Sequence, residues 1–88
     1  MNHIQELVNN KETFFKYMAN FFPVYYKSNL FLRDVQFAIK NYFDQKNNKL
    51  SYTETENLAL ELMKNLVENG EAKILNENKS WEFLIKLD

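Results

Sequence analysis

Residues Ser51 to Leu87 read SYTETENLALELMKNLVENGEAKILNENKSWEFLIKL, and their hydrophobic periodicity changes once along the way. The apolar residues first recur at helical spacing, and they are Leu58, Ala59, Leu62, Met63, Leu66 and Val67. Gly70, the only glycine, follows them at the point where a left-handed residue commonly ends a helix. Beyond it the pattern alternates, as in strands, with one face formed by Trp81, Phe83, Ile85 and Leu87. We therefore predict a helix over 52–69 and a hairpin over 72–87.

Short-range signals mark the ends of these elements. Ser51 and Glu54 have the spacing of a capping box, in which each side chain bonds a free backbone N–H at the start of a helix. Thr53 and Glu56 offer the same spacing and an alternative start. The polar run 76–80 predicts a five-residue hairpin turn.

The first half of the chain also shows helical spacing. It predicts a helix over 10–22, ended by Pro23, and another over 30–44. Residues 24–27 form a connector or a short strand. Residues 1–9 are read as a short helix at a frayed terminus, whose order the sequence does not determine.

Polar residues suggest where the two earlier helices begin. Asn9 and Glu12 have capping-box spacing, and Ser28 or Asn29 is expected to cap the helix over 30–44. The predicted fold is a single α+β domain, residues 1–88, with three or four helices and a C-terminal hairpin. Its core is expected to join Trp81, Phe83 and Ile85 to Leu62, Leu66 and Ile39.

The segment from Met63 to Leu87 resembles the end of winged-helix domains. It contains a helix with leucine spacing, a glycine, a first wing strand, a polar wing tip and a second strand. The resemblance covers the last third of the chain and implies a winged-helix-like regulator that binds nucleic acid. The chain departs from the family because residues 51–69 carry four glutamates and one lysine. A phosphate backbone repels such a helix, and some winged helices bind proteins instead.

Composition narrows the class of protein. The 88 residues suit one domain and contain no cysteine, which excludes a disulfide scaffold and a cysteine zinc site. No run is apolar enough for a transmembrane helix, and no signal peptide is evident, so we expect a cytoplasmic protein. Ten lysines against one arginine and many asparagines suggest an AT-rich genome, such as that of a phage or plasmid.

Catalytic groups are scarce. The one histidine, His3, lies near the N-terminus without a cysteine or carboxylate at metal-ligand spacing. Ser28, Ser51 and Ser80 fall at predicted caps or in the hairpin turn, and a single glycine excludes a glycine-rich phosphate loop. We expect no enzyme activity, no catalytic residues, no metal, no cofactor and no small-molecule substrate.

Charge and aromatic residues supply two candidate surfaces. Residues 1–49 hold seven basic and four acidic side chains, whereas 50–88 hold four basic and eight acidic ones. The candidate nucleic-acid contacts are Lys27, Arg33, Lys40, Lys46 and Lys49, with Tyr25 or Tyr26 stacking on bases. Eleven of the fourteen aromatic residues fall between Phe14 and Phe43. A homodimer or partner interface is expected at Phe21, Phe22, Tyr25, Tyr26 and Phe31.

Two functions follow from these surfaces. The first is a winged-helix-like regulator, phage- or plasmid-encoded and dimeric, that binds nucleic acid. The alternative is an inhibitor or adaptor that binds a protein through its aromatic or acidic surface, the acidic half acting as a nucleic-acid mimic.

Overall fold

Residues 2–87, which the computed structural model describes, form four helices and a three-stranded antiparallel sheet. The helices are α1 (His3–Asn9), α2 (Lys11–Met18), α3 (Leu32–Asp44) and α4 (Tyr52–Glu68). The strands are β1 (Asn29–Phe31), β2 (Ala72–Asn76) and β3 (Ser80–Phe83), in the sheet order β1-β3-β2. The predicted α+β class is confirmed. None of these helices has the length and apolarity needed to cross a bilayer.

The start of α4 is the predicted capping box. Ser51 Oγ accepts the backbone N–H of Glu54 at 3.1 Å, and Glu54 Oε1 accepts the backbone N–H of Ser51 at 2.9 Å. The alternative start at Thr53 and Glu56 is wrong, because Tyr52 is already helical. Local side-chain bonds are enough to define this helix end.

The capping box makes stability depend on pH. The pKa of Glu54 is lowered, first by the bond from the Ser51 backbone N–H and then by the Ser51 side chain. This stabilisation is complete above the pKa of the unfolded carboxyl, about 4.3, and is lost as the pH falls through the lower folded pKa. Glu54→Ala should therefore lower the urea midpoint at pH 7 and lower it less at pH 3. An equal difference at both pH values would contradict this role.

Gly70 ends α4 in the predicted left-handed conformation, with φ of 72°. Its N–H donates to the carbonyl of Val67 at 3.1 Å, and the N–H of Glu71 donates to the carbonyl of Leu66 at 2.7 Å. These are the two bonds of a Schellman motif. The chain reverses there and passes directly into β2.

The hairpin is shorter than predicted. Asn76 pairs with Ser80 across the ladder, so the turn contains only residues 77–79 instead of five. Asn78 has φ of 57°, a left-handed conformation that asparagine tolerates well. β3 ends at Phe83, and residues 84–87 are not part of a strand.

Strand β1 was not predicted, and the connector over 24–27 contains no strand. Leu30 lies opposite Trp81, and both are buried. The N–H of Lys27 donates to the carbonyl of Phe83 at 2.6 Å, and the N–H of Phe83 donates to the carbonyl of Ser28 at 2.8 Å. Three residues are too few to show a periodicity, and their partner strand comes from the other end of the chain.

The prediction that Ser28 or Asn29 caps α3 is also wrong, because this segment pairs with β3. Asn29 belongs to β1, and Ser28 is buried beside it. The N-cap is Phe31, whose side chain makes no capping bond. The hairpin turn replaces it, because the N–H of Leu32 donates to the carbonyl of Lys79 at 2.9 Å.

The N-terminal helix is packed rather than frayed. Leu7 is fully buried, and α1 contacts α4 and α2. The predicted capping box at Asn9 and Glu12 is wrong, because Asn9 is the last residue of α1. Asn10, which follows it, donates its side-chain amide to the carbonyl of Glu6 at 2.9 Å instead of capping α2.

Helix α2 ends at Met18 instead of residue 22. The N–H of Asn20 donates to the carbonyl of Tyr17 at 3.1 Å, and the N–H of Phe21 donates to the carbonyl of Met18 at 2.9 Å. These i→i−3 bonds tighten the last turn and redirect the chain towards β1.

One core unites all seven elements. The predicted core residues lie in it, with Ile85 only partly buried at its margin. The largest fully buried side chains are Phe14, Phe15, Phe43, Phe83, Leu7, Met18, Leu30, Ile39, Leu62, Met63, Leu66 and Val35. Several aromatic side chains lie outside this core and remain exposed. This agrees with the large number of aromatic residues in the first half of the chain.

Candidate interaction surface

An open groove of about 640 Å³ lies between α3 and the first turn of α4. We call it the aromatic groove. Its walls are Phe22, Phe31, Arg33, Asp34, Gln36, Phe37, Lys40, Tyr52 and Thr55. Residues from the chain after α2, from β1 and from both helices therefore meet at one site.

Three aromatic side chains of the groove are largely open to solvent. Phe31 and Phe37 are each 50% exposed, and Tyr52 is 72% exposed. Phe31 is the N-cap of α3, Phe37 lies outside the buried stripe of that helix, and Tyr52 is the first residue of α4. These side chains lie outside the core because each residue is at the end or on the outer side of its helix.

The floor of the groove is a buried polar contact between the helices. Gln36 Nε2 donates to the carbonyl of Tyr52 at 3.3 Å and lies 3.5 Å from Thr55 Oγ1. Thr55 Oγ1 in turn donates to the same carbonyl at 2.8 Å. Because these bonds fix α3 against α4, the groove is preformed.

The charge of the groove is mixed. Arg33 and Lys40 line it together with Asp34. Lys40 Nζ donates to the carbonyl of Leu50 at 3.2 Å and lies 4.0 Å from Asp44 Oδ2. Within residues 2–87, Arg33 has no carboxylate within ion-pair distance. Its guanidinium is therefore available to an acidic partner.

The other three predicted nucleic-acid contacts lie outside the groove. Lys46 forms an ion pair with Glu6 at 2.6 Å and lies 4.5 Å from the centre of the Tyr42 ring. The bond to Glu6 is the main cause of its raised pKa. Lys27 and Lys49 are exposed on loops. Of the five basic residues, Arg33 and Lys40 are therefore the two that line the groove.

The predicted aromatic interface also separates into parts. Phe22 and Phe31 line the groove, and Phe21 packs against Phe22 with ring centres 6.5 Å apart. Tyr25 lies in a smaller cleft, of about 320 Å³, that shares Phe31 with the groove. Tyr26 lies elsewhere, with two lysine ammonium groups near its ring.

Sequence reasoning missed five members of the groove, among them the aromatic residues Phe37 and Tyr52. Phe37 packs edge-on against Phe22, with ring centres 5.8 Å apart. Tyr52 comes directly after the helix cap. Both fall outside the apolar stripe of their own helix. That position in the sequence could have indicated that their side chains are exposed.

Nothing in the described chain is arranged as a metal site: residues 2–87 contain no group of three or more histidine, cysteine or carboxylate side chains suited to hold an ion. His3 packs edge-on against Phe43, with ring centres 4.9 Å apart, and lies 2.8 Å from the amide nitrogen of Asn48. Its contacts are those of a packed side chain.

No family model, curated protein or solved structure matches this chain.

Proposed function

We propose that the protein is a small, non-enzymatic, cytoplasmic adaptor or inhibitor that binds a partner protein through the aromatic groove. The observation behind the proposal is the convergence of Phe31, Phe37 and Tyr52 on one preformed groove, with half or more of each side chain exposed. The scarcity of catalytic groups in the sequence supports a binding role.

The energetics favour a protein partner. Aromatic side chains each bury about 150–250 Å² when covered, and tyrosine and arginine are enriched among the residues that dominate binding energy. Clustered exposed apolar side chains mark interaction sites in monomeric proteins. Arg33 adds a directional contact, so the expected partner segment is apolar and carries a carboxylate.

Replacing Phe37 and Tyr52 together with alanine should weaken partner binding by at least about 30-fold, the loss typical of one hot-spot residue. The fold should survive, because both side chains are exposed and Gln36 bonds the backbone of Tyr52, not its side chain. The measurement is affinity capture from the source cell, followed by titration of the captured protein.

Tyr26→Ala is the matched control, since Tyr26 is an exposed aromatic residue outside the groove. It should bind the partner as wild type does. Equal loss in both variants would show that the groove is not the interface. Sedimentation of the purified protein tests for a homodimer. If the wild-type protein were a dimer and the Phe37→Ala, Tyr52→Ala variant a monomer, the partner bound by the groove would be a second copy of this chain.

Nucleic-acid binding is the second candidate. It is favoured by Arg33 and Lys40 in an aromatic groove, and by Lys49, which precedes the carbonyl that Lys40 contacts. A helix precedes α4 and a hairpin follows it, an order compatible with the winged-helix resemblance. The acidic residues of α4 and the seven-residue connection 45–51 oppose it, because a helix-turn-helix turn is shorter.

Fluorescence anisotropy with labelled duplex and single-stranded oligonucleotides distinguishes the two candidates. The protein-binding proposal predicts no binding even at low salt. Binding that weakens steeply with salt and is abolished by Arg33→Glu with Lys40→Glu would instead favour the nucleic-acid candidate.

A further inference from the structure

A second groove, of about 400 Å³, lies on another part of the molecule. It separates the second half of α4 from the hairpin, and we call it the acidic groove. Its walls are Leu60, Glu61, Lys64, Val67, Glu68, Ile74, Glu77, Asn78 and Trp81. It shares no residue with the aromatic groove.

The floor of the acidic groove is apolar. Leu60 and Val67 are half-buried, and Trp81 is buried beneath them. Ile74 lies opposite Trp81 in the ladder, yet it remains 41% exposed. An apolar side chain of a ligand would therefore displace water from side chains that the core does not cover.

The rim of the groove is negatively charged. Glu61 and Glu68 lie on α4, Glu77 lies in the hairpin turn, and Lys64 is the one basic residue among the lining side chains. Within residues 2–87, none of these three carboxylates has an ion-pair partner. The rim therefore has a charge that suits a basic ligand.

One side of this groove is bordered by an open strand edge. In the described chain, β2 has only β3 as a neighbour. Both backbone groups of Phe83 bond towards β1, at Lys27 and Ser28. Its opposite residue, Ala72, is therefore in a non-hydrogen-bonded pair. By alternation, the N–H and C=O of Ile74 point to the open edge and are the groups available to a ligand, because Ala72 is buried.

From these features we infer that the acidic groove binds an extended, basic segment of another protein, which adds to β2 as a fourth strand. Main-chain bonds to Ile74 supply the register, as in other cases of strand addition. Apolar side chains of the segment cover Ile74 and Val67. Its lysine or arginine side chains occupy other positions of the same face, two residues away, and lie near Glu61 and Glu68.

The test uses the full chain and a fluorescein-labelled lysine–valine peptide about six residues long, the usual length of a strand. Threonine occupies every second position of this peptide, so valine and lysine share the face that points towards α4. Anisotropy should rise to saturation with this peptide and stay flat with its glutamate–valine counterpart. Equal binding of both peptides, or binding of neither, would overturn the inference.

A charge reversal locates the peptide on the protein. Glu68→Lys should weaken lysine–valine binding by about tenfold, because it places a positive charge on the rim. The substitution is compatible with folding, since cations are favourable at a helix C-terminus. Glu12→Lys, on the exposed side of α2, makes the same charge change away from the groove and should leave binding unaltered. Equal weakening in both variants would show that the net charge of the protein causes the effect, and it would contradict binding at the acidic groove.

Amide hydrogen exchange tests the strand addition itself. The N–H of Ile74 should exchange fast in the free protein and at least about tenfold more slowly with saturating peptide. The N–H of Lys73 faces β3 and serves as the internal control, slow in both states. An Ile74 amide that stays fast with bound peptide would contradict strand addition. Because this site lacks any residue of the aromatic groove, Phe37→Ala with Tyr52→Ala should leave all three results unaltered.

Discussion

Phe83→Ala should lower the free energy of unfolding by about 3–5 kcal/mol, the usual cost of removing a buried phenylalanine ring. Phe83 is fully buried in the central strand of the sheet, and its ring centre lies 4.8 Å from that of Phe15. Its backbone also bonds Lys27 and Ser28. Alanine leaves a cavity where α2, β1 and β3 meet, and small domains have only about 5–15 kcal/mol of stability in total.

Urea denaturation followed by circular dichroism measures this loss. Glu82→Ala is the control, because Glu82 precedes Phe83 in the same strand but faces away from the core. Its effect should stay within about 0.5 kcal/mol. A Phe83→Ala midpoint equal to that of Glu82→Ala would contradict the placement of the ring in the core.

Leu7→Ala should lower the free energy of unfolding by about 2–5 kcal/mol. Leu7 is fully buried, although it belongs to a seven-residue helix near the N-terminus. Short helices are marginal in water, so α1 persists through its packing. The ion pair of Glu6 with Lys46, partly exposed on both sides, adds little.

The same denaturation experiment applies, with Gln5→Ala as the control at an exposed position of the same helix. Gln5→Ala should change stability by no more than about 0.5 kcal/mol. If Leu7→Ala were as mild, residues 1–9 would be a frayed terminus, as the sequence alone suggested. A large effect would establish α1 as part of the cooperative unit.

The candidate surface was only partly predictable. The sequence indicated an excess of aromatic residues and predicted Phe22 and Phe31 as interface residues, and both line the groove. It did not bring Tyr52 to the same place, because Tyr52 reaches the groove through the packing of α4 on α3. It grouped Tyr26 with the others by proximity along the chain, whereas in the fold Tyr26 does not line the groove and has two lysine ammonium groups near its ring.

Helix α4 and its two ends followed from local sequence, since the capping box at Ser51 and the left-handed Gly70 each involve residues that are neighbours along the chain. Strand β1 and the start of α3 depended on the tertiary structure. Both are held by backbone bonds to the distant hairpin, at Phe83 and Lys79. Bonds between segments far apart in sequence leave no periodic pattern in either segment, so neither these elements nor the grooves beside them appear until the chain is folded.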